Sequence, residues 1–347
     1  MRVQWARRHL RMNWYCAERD LSSINNQRIH LAPQCIMASS PRSTKTLFSK
    51  DGISLYATTL SSSVDAGSDD DDNDGIILTL ALNRQQEKNV VNPTLISLLI
   101  EALDTIDTHP MLVNTNNKSL IITGLSLEDD GEKKVSKFFS NGLDLEWMLR
   151  ANNTTTSNGN QDGASQQIKS NPTSQMIESF NAQVLARVLT LPMRTIAAIN
   201  GHCIGAGLFL ALACDYRIMR TKRGFIQWPE AKLGMRLTKG FAELSKAKVG
   251  YSKGSAKDHH VLREGILTAK MYNSSEALAS GIIDAECPIE ELYEHAFQLA
   301  KDGLPETGMK LEYFDPKGYT EVKMEMYTDA YRALKFGRVG DLPHSRI

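Results

Sequence analysis

The sequence predicts an α/β fold with a helical C-terminal region. Four short apolar runs, 76–82, 120–123, 195–199 and 216–219, have strand length, and stretches of helical periodicity separate them. Strands alternating with helices build a parallel or mixed sheet covered by helices. Beyond Gly234 the pattern turns mainly helical. Composition agrees with a sizeable core: 347 residues are 41% hydrophobic, and 40 basic residues balance 40 acidic ones. That balance gives no reason to expect a nucleic-acid partner. No apolar run reaches the ~18 residues of a membrane span.

The chain divides into three regions: a leader and acidic linker (1–72), a core (73–260) and a helical C-terminal region (261–347). Residues 1–50 hold seven Arg and two Lys against Glu18 and Asp20. An Arg-rich, acid-poor start reads as an organellar transit peptide. Equally, Met37 opens a segment that serves as an alternative start. Residues 61–74 are Ser-rich and then acidic, the composition of a solvated linker, and order is expected from Gly75. Asn92-Pro93 supplies a capping residue and a first-turn proline. Leu95, Leu98, Leu99, Ala102, Leu103 and Ile106 then recur at helical spacing. A charged loop (128–137) leads to Phe138-Phe139-Ser140-Asn141-Gly142-Leu143-Asp144-Leu145, and a polar low-complexity loop is expected over 152–174. The next helix carries Ile177, Phe180, Val184, Leu185 and Val188 on one face and ends before Pro192. C-terminal helices are expected over 240–248, 274–280, 289–301 and 320–335. Five cysteines, Cys16, Cys35, Cys203, Cys214 and Cys287, show no C-x-x-C pairing, which favours a reducing compartment.

The densest signal runs from Thr195 to Met235. An apolar strand ends at Asn200-Gly201, and Gly205-Ala206-Gly207 follows, with Leu-Phe-Leu-Ala-Leu-Ala behind it. Small residues there permit close approach to the backbone. Ala206 falls at a helix N-terminus, where free N–H groups favour negative charge. The strand 216–219 then leads to Gln227-Trp228-Pro229-Glu230, a single carboxylate in apolar company.

These elements resemble the crotonase (enoyl-CoA hydratase/isomerase) superfamily. Its A-x-N-G-x-x-x-G-x-G turn stands here as 198–207, its C-D strand as Cys214-Asp215-Tyr216, and its P-E-x-x-x-G segment as 229–234. Its F-x-A-G-A-D-L segment resembles 139–145. The resemblance covers about 75–300 and implies a crotonase-like ββα spiral. It also implies an acyl-CoA substrate, no cofactor beyond the CoA of that substrate, no metal, and a homotrimer or hexamer. In the family two backbone N–H groups hold the thioester oxygen. Here they fall at Leu143 and Ala206, with Asn141, Gly142, Gly205 and Gly207 shaping the two turns. Rigid backbone donors suit an enolate, since they need no reorganisation when it forms.

Hydratases of the family carry two glutamates. One matches Glu230, and the other position is Phe209 here, which neither holds water nor transfers a proton. The resemblance is therefore closest to Δ3,Δ2-enoyl-CoA isomerases, with Glu230 as base and Phe209, Trp147 and Trp228 around the acyl chain. Two alternatives stay open: another CoA-thioester-processing crotonase such as a hydratase, and a non-catalytic acyl-CoA-binding protein.

Other residues read blandly. Adjacent His259 and His260 point apart and lack partners at ligand spacing. Asp144 caps or braces its loop. Arg84, Lys88 and the Lys222-Arg223 pair are candidates to meet CoA phosphates, with plain surface charge as the default reading. The C-terminal Ser345-Arg346-Ile347 is similar to the peroxisomal S-K-L address, which implies an import receptor as partner, while the Arg-rich start points to the mitochondrion.

Overall fold

The computed structural model describes residues 43–60, 75–127, 136–157, 171–249, 260–304, 309–313 and 315–339. The leader, the acidic run, His259 and the C-terminal tripeptide lie outside them. The strands expected from the sequence form the middle of a seven-stranded sheet. These are β3 (Ile76–Leu82), β4 (Lys118–Thr123), β6 (Arg194–Ile199) and β8 (Tyr216–Arg220), all mutually parallel. β11 (Ala285–Cys287) extends the sheet in parallel beyond β8. Side chains alternate across it. Ile76, Leu78, Leu80 and Leu82 join one core with α1 (Pro93–Thr108), while Ile77, Ile121, Ile196 and Ile218 join a second core with α11 (Ile289–Asp302). Asn92 caps α1 by accepting from the Leu95 N–H at 3.0 Å, as its position before Pro93 predicts.

Order does not begin at Gly75. β1 (Ser43–Lys50) and β2 (Ile53–Thr59) form an antiparallel hairpin that adds β2 to the open edge of β3. The turn is Asp51-Gly52, both at positive φ (47° and 78°), as a two-residue hairpin turn requires. β2 buries Ile53 and Leu55 completely, and each such side chain is worth roughly 1.5–3 kcal/mol. β1 is mostly exposed and polar, so it carries little apolar signal of its own. The Asp-Gly pair was the readable cue. Residues 43–59 therefore belong to the sheet and not to a linker.

The other helices depart from expectation in detail. After the one-turn α2 (Pro110–Val113), α3 (Leu145–Ser157) runs into the stretch expected as a polar loop, and α4 (Pro172–Ser179) begins before that stretch was expected to end. A π-helical segment (Phe180–Leu185) separates α4 from α5 (Ala186–Thr190). α6 (Ala206–Ala213) is buried on every side. Past the short α7 (Glu230–Leu233) come α8 (Lys239–Lys248), α9 (His260–Thr268) and α10 (Ser274–Ala279). The last expected helix is two, α12 (Pro316–Met326) and α13 (Thr328–Phe336), broken at Tyr327. α9 was not foreseen. The region after 260 shares the cores of the sheet: α11 packs beneath it, and Lys323 of α12 is buried in a 2.8 Å ion pair with Asp215. Among the described residues no helix is long and apolar enough to cross a membrane.

A second, four-stranded sheet positions the site. β5 (Phe138–Ser140), β7 (His202–Ile204) and β9 (Ile226–Gln227) run parallel, and β10 (Met271–Tyr272) pairs antiparallel with β9. These strands are only two or three residues long. Because they are parallel, the segments that follow β5, β7 and β9 emerge at one end: 141–143, 205–206 and 228–230.

Candidate active site

The first segment turns at Gly142, whose φ of +87° is one that a side chain rarely adopts. A β-carbon there would lie 2.9 Å from the Ile204 carbonyl oxygen and 3.6 Å from the Ala206 nitrogen, so the turn after β5 touches the start of α6. The Val91 N–H donates to the Gly142 oxygen at 2.7 Å, and the Asp144 N–H donates to the Val91 oxygen at 2.9 Å. This parallel bridge pairs Val91 with Leu143 and leaves the Leu143 N–H facing away from Val91.

The second segment turns at Gly205 (φ +50°, ψ −118°), which precedes α6 without a side-chain cap. Ala206 opens the helix, so its N–H belongs to the orphan donors of the first turn. Among the described residues neither the Leu143 nor the Ala206 amide has an acceptor. Gly207 lies against Ser140, where a β-carbon would come within 2.5 Å of the Ser140 side chain. The Asn141 N–H is held by the Lys88 carbonyl at 3.0 Å.

The third segment brings Glu230. Its residue is 8% exposed, and its Oε2 is buried without a hydrogen-bond partner. A β-carbon on Gly205 would lie 3.9 Å from Glu230 Oε1, which places the carboxylate beside the Gly205-Ala206 turn. Burial raises the carboxyl pKa from 4.5 to about 7, against a smaller opposing effect of its own backbone N–H. An unpaired carboxylate with this pKa accepts and returns protons near neutrality. The Leu143 and Ala206 amides, both without an acceptor among the described residues, lie on turns that touch each other.

The three expected acyl-chain residues separate. Phe209, in the first turn of α6, is fully buried and stacks on Phe241 of α8, with ring centroids 3.9 Å apart and 10° between planes. Trp147 lies half-buried on α3, beside the Leu143 turn. Trp228 is not a free wall. It is fully buried behind Glu230, edge-on to Tyr272, and its indole N–H donates to Ser245 Oγ at 3.1 Å. Asp144 braces as expected: one oxygen accepts from the Trp147 N–H at 2.9 Å and the other from the Asn92 amide at 3.1 Å.

Several contributors escaped the sequence reading. Asn89 is fully buried at φ +51°, and its side-chain amide donates to the Leu82 and Phe139 carbonyls, both at 3.0 Å. The Ser140 hydroxyl donates to the Asn89 carbonyl at 2.7 Å. Together they fix the loop that holds Leu143. An Asn in the left-handed region tolerates that backbone better than most residues, which was the available cue. Phe241 and Ser245 carried no cue, since both sit on an ordinary amphipathic helix. His202 lies between Phe138 and Phe225, its pKa lowered first by burial and then by Arg223, at the opposite end of β7 from Gly205. Among the described residues no group of three His, Cys, Asp or Glu is placed to hold a metal.

The enoyl-CoA hydratase/isomerase family model matches residues 72–311. Over 149 residues the chain is 40% identical to enoyl-CoA delta isomerase 2, peroxisomal, of Arabidopsis thaliana, covering 43% of this chain and 54% of that protein. Over 214 residues it is 28% identical to enoyl-CoA delta isomerase 1, peroxisomal, of the same plant, covering 61% and 72%. The match at 40% identity thus spans only about half the length of that relative. Among solved structures, a probable enoyl-CoA hydratase of Mycobacterium tuberculosis superposes with a TM-score of 0.56 at 20% identity, covering 83% of this chain and 93% of that one. Human mitochondrial delta3-delta2-enoyl-CoA isomerase superposes with a TM-score of 0.54 at 18% identity, covering 74% and 81%. With a family model matched over most of the described fold, and with the family's turns and carboxylate assembled at one end of the small sheet, the chain belongs to the enoyl-CoA hydratase/isomerase family.

Proposed function

We propose that the protein is a Δ3,Δ2-enoyl-CoA isomerase acting in fatty-acid β-oxidation. The observation that carries this reading is a lone buried carboxylate, Glu230, with an unpartnered oxygen beside the Gly205-Ala206 turn, while the neighbouring turn of α6 offers only Phe209. The 3-enoyl thioester binds with its carbonyl oxygen on the Leu143 and Ala206 amides. Glu230 removes a C2 proton, and the electron pair moves into the dienolate. The oxyanion rests on the two N–H groups. Glu230 then returns the proton to C4, and the double bond passes from C3–C4 to C2–C3. No atom is gained or lost, so the reaction calls for no cofactor beyond the CoA of the substrate and no metal. An apolar neighbour at Phe209 leaves no second group to activate water, which favours isomerisation over hydration.

The test uses purified protein with 3-enoyl-CoA and, separately, 2-enoyl-CoA. Conjugated enoyl-thioester absorbance should grow with the first and hold steady with the second. Loss of absorbance with 2-enoyl-CoA would make the protein a hydratase, and no turnover of either would make it a binding protein. The base works only when ionised, and its pKa is raised. kcat should therefore be low in acid and rise through a midpoint of about 7 to a plateau.

A homotrimer or hexamer is the assembly proposed. The relatives named peroxisomal support a peroxisomal location reached through an import receptor. A fluorescently tagged protein should co-localise with a peroxisomal marker and not with a mitochondrial one. If residues 1–50 alone carry a reporter into mitochondria, the peroxisomal location is withdrawn.

A further inference from the structure

The proposed base and the proposed oxyanion donor stand on different elements. Glu230 opens α7 after β9, and Ala206 opens α6 after β7. The direct ties between them are those of the short β7–β9 pairing, two residue pairs long, which includes the Cys203 N–H to the Phe225 carbonyl and the Gly205 N–H to the Gln227 carbonyl, both at 3.0 Å.

A second tie runs behind the site. Trp228, two residues before Glu230, donates its indole N–H to Ser245 Oγ at 3.1 Å. The Ser245 hydroxyl donates in turn to the Phe241 carbonyl at 2.8 Å, one turn back on α8. The directions are fixed by chemistry: indole only donates, a carbonyl only accepts, and the serine oxygen does both. The Phe241 ring stacks on Phe209, whose own N–H is bonded to the Gly205 carbonyl at 3.0 Å. The path thus leaves the Glu230 segment, crosses α8 and returns to the first turn of α6. Trp228 has no slack on its other side. Gly265 of α9 faces it so closely that a β-carbon there would lie 3.0 Å from the indole, and Tyr272 stands edge-on at 6.3 Å between centroids. Trp228, Ser245, Phe241 and Phe209 are all almost wholly removed from solvent.

We propose that the path Trp228–Ser245–Phe241–Phe209 is the positioning device that sets the Glu230 carboxylate against the Ala206 amide, with Ser245 and Phe241 as positioning residues. Its kinetic consequence rests on the isomerase reading above, and its structural consequence does not. Proton transfer between C2 and C4 needs the base held to a fraction of an ångström over a carbanion whose oxygen is pinned elsewhere. A two-residue strand pairing is a thin support for that tolerance. A fully enclosed hydrogen-bonded path resists displacement because breaking it strands a buried donor.

The experiment compares Ser245→Ala, Trp228→Phe and their combination in the full-length protein. Phe241→Leu is added because it keeps apolar volume and loses the stack. Two quantities are read for each: kcat and KM with 3-enoyl-CoA, and the titration midpoint of the Glu230 carboxyl by 13C NMR, assigned with Glu230→Gln. kcat should fall about tenfold with KM within about twofold, and the double variant should be no worse than the poorer single one, as expected of one connected path. The Glu230 midpoint should move down from about 7 as the carboxylate turns toward solvent. A midpoint unmoved in all the variants overturns the proposal, whatever their melting temperatures do. If the wild-type protein fails to turn over 3-enoyl-CoA, the isomerase reading is lost, and the positioning path is still decided by the titration.

Discussion

Glu230→Gln should lower isomerase kcat by about 10²–10⁴-fold, the range that a positioned proton-transfer group contributes, while acyl-CoA binding stays within a few-fold. The amide keeps the shape of the carboxyl and cannot take a proton from C2. The Leu143 and Ala206 amides, the proposed holders of the thioester, are backbone groups that the substitution does not touch. Stability should move the other way. The wild-type carboxyl has a folded pKa of about 7 against 4.5 for the free group, so between those values the folded chain holds the proton more tightly than the unfolded chain. Wild-type stability therefore falls as pH rises from 4.5 through 7, and the loss is complete above 7. Gln stands in for the neutral form. The variant should match the wild type near pH 4 and exceed it near pH 8 by up to about 3 kcal/mol, at 1.36 kcal/mol per pKa unit. Denaturant melts at the two pH values and steady-state kinetics check both halves. Retained turnover would remove Glu230 as the base. A variant less stable at pH 8 than the wild type would mean that the charged carboxylate is welcome where it lies.

What the sequence made legible was what local patterning controls. β3 runs from Ile76 to Leu82, as its apolar run, interrupted only by Thr79, predicts, because a strand buried on both faces needs no alternation. Asn92-Pro93 places the start of α1 to the residue. Glu230 was visible because a carboxylate in an apolar stretch demands a reason. The rest was set by partners distant in sequence. β7, β9, β10 and β11 are two or three residues long, and each exists only because another short segment lies beside it. No local window contains that information. The β1–β2 hairpin had a local cue in Asp51-Gly52, but the acidic run that follows drew the boundary too late. The site divided in the same way. The glycine turns and the carboxylate are local motifs. Trp228 looked like a pocket wall until its indole N–H met Ser245, a partner 17 residues away. Phe241 gains its meaning only from the ring of Phe209 beneath it.

Phe209→Glu should carry the largest stability cost of these substitutions, about 3–5 kcal/mol, together with a low but measurable gain in hydration of 2-enoyl-CoA. The cost has two parts. The aromatic stack with Phe241 disappears from a site with no exposed surface, and a carboxyl takes its place among apolar groups. Burial raises the pKa of that new group, so the penalty should be smallest in acid and grow as pH rises. The gain comes from position. By the resemblance to the family's hydratases, Phe209 matches the position of their second glutamate, and it lies one turn along α6 from Gly205, whose own neighbour is the Glu230 carboxylate. Two carboxyls facing one acyl chain hold and activate a water that a phenyl ring excludes. Hydration should stay far below isomerisation, because Phe241 still presses on the new side chain from α8 and the water has little room. Phe209→Gln serves as the control, with matched size and no base. Melting by circular dichroism reads the first effect, and loss of enoyl-thioester absorbance from 2-enoyl-CoA reads the second. A folded Phe209→Glu protein that hydrates no faster than the Phe209→Gln control would mean that this position does not face the reacting carbons. The apolar residue at 209 would then no longer explain a preference for isomerisation.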